Sequence, residues 1–312
     1  MGKPNQPVDA MRHRVEVPAY AKINLGLRVL GKRADGYHNL ETFFLQIDLA
    51  DRVSFAKSSR PGLAFRCNWT DIGDPEANLC VRACRVLEQS CGVRLNVDVH
   101  LEKRIPHGAG LGGGSSDAAV TLLALNEMFA LGLSAEQLGE LAIQVGSDVP
   151  FFLHGGLAYA TGRGEQLEVL DYLPPGCILI VQPELSISTR WVFENLKIGL
   201  TNIEKNTTLA SLKNSLSEPD KLRDVCRNEL ETIVFSGYPE LAEIKSRLQD
   251  AGASPVSMSG SGSAIFGFFV SPHALREGVR VVGTSYRTFA TRPIRSGMQQ
   301  IHEVLAASTS GG

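Results

Sequence analysis

The sequence predicts a two-domain protein of the α+β class. Its 312 residues, 43% of them hydrophobic, are enough for two ordinary domains with cores. Predicted strands and helices are interspersed without the steady βαβ rhythm of a doubly wound parallel sheet. Chain-breaking residues at 172–176, Tyr-Leu-Pro-Pro-Gly, directly precede an apolar strand. We therefore predict an N-terminal domain over residues 14–173 and a C-terminal domain over residues 174–307.

The beginning of the N-terminal domain is predicted to be rich in strands. Apolar residues occupy alternate positions from 17 to 30, which is the period of a strand with one buried face. Lys22 and Asn24 fall on the opposite face, where a lone lysine is usually exposed to solvent. Two further strands are predicted over residues 40–48 and 52–56.

Capping residues mark the helices that follow. Asn78 is a good N-cap for a helix that is followed by an alternating strand. A helix of about fifteen residues is predicted to start at Ser115 or Ser116, after a cluster of glycines. Ser134 and Gln137 have the spacing of a capping box at the start of the next helix.

The C-terminal domain is predicted to mix strands and helices. Its predicted elements are a strand at 177–182, a helical stretch at 218–250, a glycine-rich turn at 259–262, a helix at 274–281 and extended chain at 287–291. The turn lies in Ser-Met-Ser-Gly-Ser-Gly-Ser-Ala at 257–264, which an ordinary hairpin explains about as well as a binding site.

Composition excludes several classes of function. The formal charge is −2, with 31 basic and 33 acidic side chains, so neither nucleic acid nor an anionic membrane is predicted as a partner. No apolar run reaches the ~18 residues of a membrane span. The six cysteines include no C-x-x-C pair, which argues against zinc and thioredoxin-like sites. We predict a cytoplasmic enzyme that holds any anionic ligand locally.

The strongest local signal is a glycine-rich loop that leads into a helix. It consists of Pro106, His107, Gly108, Ala109, Gly110, Leu111, Gly112, Gly113, Gly114, Ser115 and Ser116. Amides without a neighbouring Cβ can approach phosphate oxygens closely, and a helix N-terminus adds unpaired N–H donors and partial positive charge. The sequence therefore predicts a phosphate-binding loop.

Two common nucleotide-binding motifs do not explain this loop. Gly108, Gly110 and Gly113 satisfy G-x-G-x-x-G, but a Rossmann fingerprint lies in a βαβ unit, whereas a second capped helix follows here. No lysine follows the glycines as in a Walker A loop. A cation for bound phosphates must therefore come from elsewhere.

Asp148 lies just after the third predicted helix, in Gly-Ser-Asp-Val-Pro. A carboxylate at this position could accept the proton of an attacking hydroxyl, or it could only cap the next short segment. Local sequence leaves both interpretations open. A pairing of Asp148 with Lys22 near a transferred phosphate would favour the first.

Taken together, these segments resemble the GHMP kinases, the superfamily of galactokinase, homoserine kinase, mevalonate kinase and phosphomevalonate kinase. The family has three sequence motifs, and these segments occur in the same order as those motifs. The match covers nearly the whole chain. Residues 18–25, PAYAKINL, and 33–40, RADGYHNL, resemble the branch that acts on a cytidine-diphosphate-linked methylerythritol in the non-mevalonate isoprenoid pathway. The resemblance implies an N-terminal domain like ribosomal protein S5 and a C-terminal ferredoxin-like α/β plait.

The resemblance also implies the reaction and its catalytic pair. ATP is the implied co-substrate, with Mg²⁺ expected, and the acceptor is the tertiary 2-hydroxyl of the methylerythritol. Asp148 matches the family's catalytic aspartate, and Lys22 matches the lysine that pairs with it. The glycine-rich loop is expected to bind the ATP phosphates, with His107 pointing outward. We expect a monomer or homodimer, and the sequence alone does not identify the metal ligands.

Binding residues are carried over in the same way. His38 with Tyr37 is implied to recognise the cytosine, and Asn24 to contact the substrate side of the cleft. Phe193 occupies the position of an aromatic residue that sandwiches the base. Asn78 matches a segment near the nucleotide base in relatives.

Three other functions remain open from the sequence. A sibling kinase could act on homoserine or a mevalonate-type alcohol, although the Tyr37-His38 segment speaks against it. A regulator could bind nucleotide without turnover, but it would not need both Lys22 and Asp148. A Rossmann oxidoreductase is the weakest alternative, and a test for bound nicotinamide would expose it.

Overall fold

The computed structural model describes most of the chain. The described residues are 14–69, 74–196, 216, 222–296, 301 and 303–305. No helix within these residues is long and apolar enough to cross a membrane.

Two long antiparallel strands form the centre of the first sheet. They are β1, Arg14–Lys32, and β2, His38–Lys57. The prediction of two separate strands at 40–48 and 52–56 is wrong, because β2 runs through both. Its pairing register with β1 shifts between Tyr20 and Lys22, so extra residues of β2 form an irregular bulge there. The chain bends at this point and does not break.

The remaining N-terminal elements complete a six-stranded sheet and cover one of its faces. They are β3 (Leu63–Cys67), α1 (Leu79–Cys91), β4 (Val97–Glu102), α2 (Gly113–Met128), α3 (Ala135–Val145), α4 (Val149–His154), β5 (Leu157–Gly162) and β6 (Gln166–Leu170). The strand order is β3-β4-β2-β5-β6, with β1 paired to β2. Buried residues of α1 to α4 pack with those of the sheet in one apolar core.

Helix starts follow the capping signals where a side chain carries them. Asn78 Oδ1 accepts a hydrogen bond from the amide of Cys80 at 2.9 Å, and Ser134 with Gln137 forms the predicted capping box. Helix α2 instead begins at Gly113, two residues before the predicted start. Its N-cap is Gly112, at φ +68°, which has no side chain to announce a cap.

The C-terminal elements form a four-stranded antiparallel sheet with helices. They are β7 (Cys177–Gln182), α5 (Thr189–Asn195), α6 (Leu222–Val225), α7 (Glu231–Gly237), α8 (Pro239–Asp250), β8 (Val256–Met258), β9 (Ile265–Phe269), α9 (Pro272–Val282) and β10 (Arg287–Thr291). The order β10-β7-β9-β8, with α8 before β8 and α9 before β10, is the predicted ferredoxin-like plait.

The helical stretch predicted over 218–250 is divided into α6, α7 and α8. Pro239 starts α8, because proline has no amide hydrogen and is tolerated only in the first turn of a helix. Tyr238 before it has φ −136°, which interrupts the helical path. Residues 217–221 of the predicted stretch lie outside the described residues.

The two sheets share a core. Ile23 of β1 and Leu45 of β2 pack in one cluster with Ile180 of β7 and Phe266 of β9. Chain after β10 also returns to the first sheet, since the amide of Ile294 donates to the Gln46 carbonyl at 3.0 Å. The two-domain α+β class is thus found, and its domains meet along a broad face. The exact boundary between residues 173 and 174 stays a prediction.

Candidate active site

Lys22 and Asp148 meet at the junction of β1 and α4. The Lys22 Nζ atom lies 3.5 Å from Asp148 Oδ2, and Lys22 is only 4% exposed. The expectation that a lone lysine on β1 faces solvent is therefore wrong. Asp148 precedes α4, but its side chain makes no capping bond to that helix among the described residues. The geometry thus favours the pairing of Asp148 with Lys22 over the capping interpretation.

Burial and the neighbouring Asp148 shift the pKa of Lys22 in opposite directions. Removal from water lowers the pKa of the Lys22 ammonium, while the Coulombic attraction and hydrogen bond of Asp148 oppose that shift. Asp148 itself is part-exposed, so its carboxylate is accessible from the cleft. A compact cation and an accessible carboxylate side by side can orient a hydroxyl and stabilise negative charge.

Asn24 fixes the lysine from the other side. Lys22 Nζ donates to Asn24 Oδ1 at 2.7 Å, and Asn24 Nδ2 donates to Thr42 Oγ1 at 2.8 Å. Asn24 is 2% exposed and is engaged in these bonds. Its side chain therefore holds Lys22 in place. The predicted contact of Asn24 with the substrate stays a prediction.

The glycine-rich loop lies directly against Lys22. The amide of Lys22 donates to the Leu111 carbonyl at 3.0 Å, and a methyl group on Gly112 would lie 3.0 Å from Cγ of Lys22. Ala109 and Leu111 anchor the loop in the core shared by the two sheets. Their intervening glycine, Gly110, has φ +76°. The anchored apolar residues thus turn the glycine backbone toward the cleft.

The N-terminus of α2 supplies unpaired amides at the end of this loop. The amide of Ser116 donates to the Gly112 carbonyl at 2.9 Å, so it is used inside the helix. Gly113, Gly114 and Ser115 come earlier in the first turn, where amides have no acceptor within the helix. These three amides, with the helix dipole, make the strongest anion-binding feature of the loop.

A cavity of about 650 Å³ extends from the loop toward α1. The predicted loop residues from Pro106 to Ser115 line it, and so does Asn78 at the start of α1. His107 is exposed and lies on the wall of this cavity. Cys67 and Trp69 also line it. The cavity is large enough for a nucleotide-sized ligand.

Three buried charged side chains pack next to Gly113 of the loop. Lys103 Nζ binds Asp51 Oδ2 and lies 2.9 Å from Asp117 Oδ2, and a methyl group on Gly113 would lie 3.1 Å from Nζ. Burial raises the pKa of Asp117, with the Asp51 carboxylate adding to the rise and Lys103 opposing it. Two carboxylates surround one ammonium, so this lysine is fully engaged beneath the loop.

A second glycine-rich turn closes the site from the C-terminal sheet. Ser259 Oγ donates to the Gly110 carbonyl at 2.8 Å and accepts from the amide of Asn24 at 3.3 Å. Asn228 Nδ2 holds the same turn by donating to the carbonyls of Met258 at 2.8 Å and Gly260 at 2.7 Å. This turn is a hairpin between β8 and β9, and it also joins the two sheets at the cleft.

Aromatic residues lie together on another part of the cleft. The rings of His38 and Phe193 are stacked with centroids 5.0 Å apart and an interplanar angle of 21°. Tyr37 is 58% exposed, and the Arg163 guanidinium lies 5.1 Å from its ring centroid. Burial lowers the pKa of His38, and the charge of Lys32 lowers it further, so the neutral imidazole is favoured. His38 and Phe193 thus form a stacked pair, and we call this pair, with the neighbouring Tyr37, the aromatic patch.

Family models cover both halves of the chain. The model of the GHMP kinases N terminal domain matches residues 78–156, and that of the GHMP kinases C terminal domain matches residues 208–287. A protein of Syntrophotalea carbinolica, 4-diphosphocytidyl-2-C-methyl-D-erythritol kinase, is 38% identical over 88% of this chain and 98% of its own. The protein of that name from Prosthecochloris aestuarii is 41% identical over 88% of this chain and 95% of its own. This chain belongs to their family of GHMP kinases.

Solved structures agree with this membership. A crystal structure of 4-(cytidine 5'-diphospho)-2C-methyl-D-erythritol kinase has a TM-score of 0.76 and 37% identity, covering 89% of this chain and 98% of that one. Homoserine kinase from Cytophaga hutchinsonii has a TM-score of 0.71 and 18% identity, covering 94% and 99%. The second likeness shows the shared fold alone. Like other members of the family, this chain is a small-molecule kinase that uses ATP.

Several residues of the site were missed by sequence reasoning. Lys103, Asp51 and Asp117 are far apart in the chain, and nothing local marks them as one cluster. Ser259 was part of a turn with two open interpretations. Arg163 lies between two glycines, and nothing in this local pattern indicates a contact with Tyr37.

Proposed function

We propose that this protein transfers the γ-phosphoryl group of ATP to the 2-hydroxyl of 4-diphosphocytidyl-2-C-methyl-D-erythritol. The observation that carries the proposal is the Lys22–Asp148 pair beside the phosphate-binding loop, with Lys22 touching Gly112. The activity of relatives up to 41% identical over most of the chain supports it. The His38 and Phe193 rings support the cytidine part of the substrate.

ATP occupies the cavity beneath α1 and α2 in this proposal. The amides of Gly113, Gly114 and Ser115 hold its β- and γ-phosphates at the helix N-terminus. The base lies toward Asn78, which also lines the cavity. This arrangement directs the γ-phosphate toward Lys22, which lies against Gly112.

Asp148 and Lys22 act on the acceptor hydroxyl. Asp148 accepts a hydrogen bond from the 2-hydroxyl and orients its oxygen in line with the γ-phosphorus. It takes the hydroxyl proton as the new P–O bond forms and the bond from the γ-phosphorus to the departing ADP breaks. Lys22 stabilises the negative charge on the transferred group. Positioning contributes most of the rate, since a loose transition state needs little deprotonation before attack.

Mg²⁺ is the expected ion of this reaction, and when bound it would neutralise charge on the β- and γ-phosphates. Among the described residues, no group of three His, Cys, Asp or Glu side chains could hold a metal ion. Mg²⁺ usually keeps several waters and binds substrate phosphates with few protein ligands. A cavity without a cluster of acidic side chains is therefore compatible with Mg²⁺. Ser115 lines the cavity, and its hydroxyl would hold the ion.

ADP release measured with three alcohols side by side tests the proposed substrate. The cytidine-diphosphate methylerythritol, homoserine and mevalonate are each added to the enzyme with ATP and Mg²⁺. We expect the first to stimulate ADP release and the other two to leave it at the background rate. Stimulation by homoserine or mevalonate alone would reject the assignment in favour of a sibling kinase.

A further inference from the structure

The turn between β5 and β6 places an arginine between the aromatic patch and Asp148. This turn, residues 162–165, contains Gly162 at φ +71° and Gly164 at φ +108°. Glu165 fixes its shape, because its carboxylate accepts a hydrogen bond from the Arg163 amide at 2.6 Å. The backbone on which the Arg163 side chain stands is therefore held in place.

Arg163 spans the distance between the two parts of the substrate site. Its guanidinium lies 5.1 Å from the centroid of the Tyr37 ring. The next residue, Gly164, lies so close to the reacting centre that a methyl group there would be 3.6 Å from Asp148 Oδ1. The side chain of residue 163 is therefore next to the path from the base-binding patch to the catalytic carboxylate.

A substrate of the proposed kind carries its diphosphate along this path. The diphosphate joins the cytidine to the methylerythritol, so it lies between the aromatic patch and Asp148 when both ends are bound. Acidic side chains surround the path, because Asp35, Asp148 and Glu165 all lie near it. A cation is needed there to offset repulsion between these carboxylates and a dianionic group.

Arg163 is better suited to this task than Lys22, Arg28 or Arg33. Lys22 is buried and engaged by Asn24 and Asp148, Arg28 pairs with Glu229, and Arg33 pairs with Asp35. Arg163 is part-exposed, and its ion pair with Glu165 is long, at 3.9 Å. A planar guanidinium held against a ring can present two parallel N–H donors to phosphate oxygens.

We propose that Arg163 binds the diphosphate of the substrate and so selects nucleoside-diphosphate-linked alcohols over uncharged analogues. This role rests on the proposed function, and it names the residue that recognises the diphosphate of the acceptor substrate. Stacking on Tyr37 holds the guanidinium in position, and the diphosphate replaces Glu165 as its ionic partner.

Binding of CDP and of cytidine, each measured by calorimetry, tests this role without turnover. The variants are Arg163→Gln, which removes the charge, and Arg163→Lys, which keeps the charge but loses the planar fork. Arg280→Gln is the matched control, since Arg280 is an exposed arginine of α9 paired with Glu277. Circular dichroism of every variant verifies that it is folded.

We expect wild-type protein to bind CDP more tightly than cytidine. Arg163→Gln should weaken CDP binding by about 10-fold or more and change cytidine binding by no more than about 2-fold, because a hydrogen-bonded charge is lost only from the phosphate contact. Arg163→Lys should lie between, and Arg280→Gln should match wild type. Equal losses for both ligands would overturn the inference and leave Arg163 as a support for Tyr37.

Failure of the proposed function has a different signature. Substrate-stimulated ADP release tests that function, whereas the CDP-against-cytidine comparison needs only binding. Wild-type protein that binds CDP no better than cytidine would overturn the role of Arg163 even if the kinase assay succeeds. A selective loss in Arg163→Gln supports the role whichever alcohol is phosphorylated.

Discussion

At the scale of single residues, the proposed chemistry depends on a buried lysine and the carboxylate beside it. Lys22 can remain inside the protein because Asn24 and Asp148 both engage its ammonium. Neither interaction can be inferred from the strand pattern, which only places Lys22 and Asn24 on one face. What the pattern did indicate correctly is their proximity, since residues two apart on a strand share a face.

Replacing Asp148 by asparagine tests its role directly. Asp148→Asn keeps the size of the side chain but removes its charge and its ability to accept a proton. We predict that kcat falls at least about 10²-fold while the KM for ATP changes little, because the ATP loop belongs to another element. Steady-state ADP release measures both. Asp171→Asn, at an exposed surface pair, is the control, and near-wild-type turnover in Asp148→Asn would remove Asp148 from the mechanism.

The pH dependence of stability reports the burial of Lys22. Its pKa in the folded protein is below the ordinary value of 10.5, so between these two values the unfolded chain binds more protons. Stability therefore rises with pH in that window, and this contribution is constant below it. We predict that the unfolding free energy of wild type rises relative to that of Lys22→Met as the pH approaches 10.5 from below. Urea unfolding of both proteins measures this, and a falling difference contradicts it.

At the scale of elements, the glycines of the glycine-rich loop have two different structural roles. Gly110 has φ +76°, and a methyl group there would lie 2.0 Å from the Ser259 carbonyl oxygen. Gly114, in the first turn of α2, has only ordinary contacts, the nearest at 3.5 Å from Leu79. Gly110 therefore allows the loop to approach the turn at Ser259 closely. Gly114 lies in the first turn of α2, where there is room for a side chain.

Alanine at these two positions should have opposite effects on folding. We predict that Gly110→Ala lowers the free energy of unfolding by about 2 kcal/mol or more, from backbone strain plus the collision with Ser259. Gly114→Ala should leave it unchanged or raise it by up to about 1 kcal/mol, since alanine favours a helix interior. Urea unfolding compares the two variants. Equal stabilities would mean that the loop does not contact the second turn as described.

Capping side chains in the sequence predicted helix starts well, whereas a glycine N-cap and a β-bulge were not predicted. Asn78 and the Ser134–Gln137 box marked helix starts because a capping side chain acts within three residues. The start of α2 was misplaced because glycine at its N-cap has no side chain. The single strand β2 was divided in the prediction, since a bulge in its pairing with β1 interrupts the alternation that a regular strand shows.

At the scale of the whole molecule, the candidate active site is formed where the two sheets meet. Ser259 contacts Gly110 and Asn24 across separations of 149 and 235 residues. The cluster of Lys103 with Asp51 and Asp117 is likewise assembled from three elements. Motif order and resemblance predicted the architecture and the catalytic pair, but contacts between distant segments follow from the packed fold alone.

The central claim is that this assembled cleft phosphorylates the 2-hydroxyl of a cytidine-diphosphate-linked methylerythritol. ATP labelled in its γ-phosphate, incubated with that alcohol and the enzyme, tests the claim most directly when the product is isolated and its phosphorus-to-carbon couplings are measured by NMR. We predict one labelled phosphate ester at carbon 2 for each ADP formed, and almost none with Asp148→Asn. Label found only in inorganic phosphate, or on another hydroxyl, would contradict the claim.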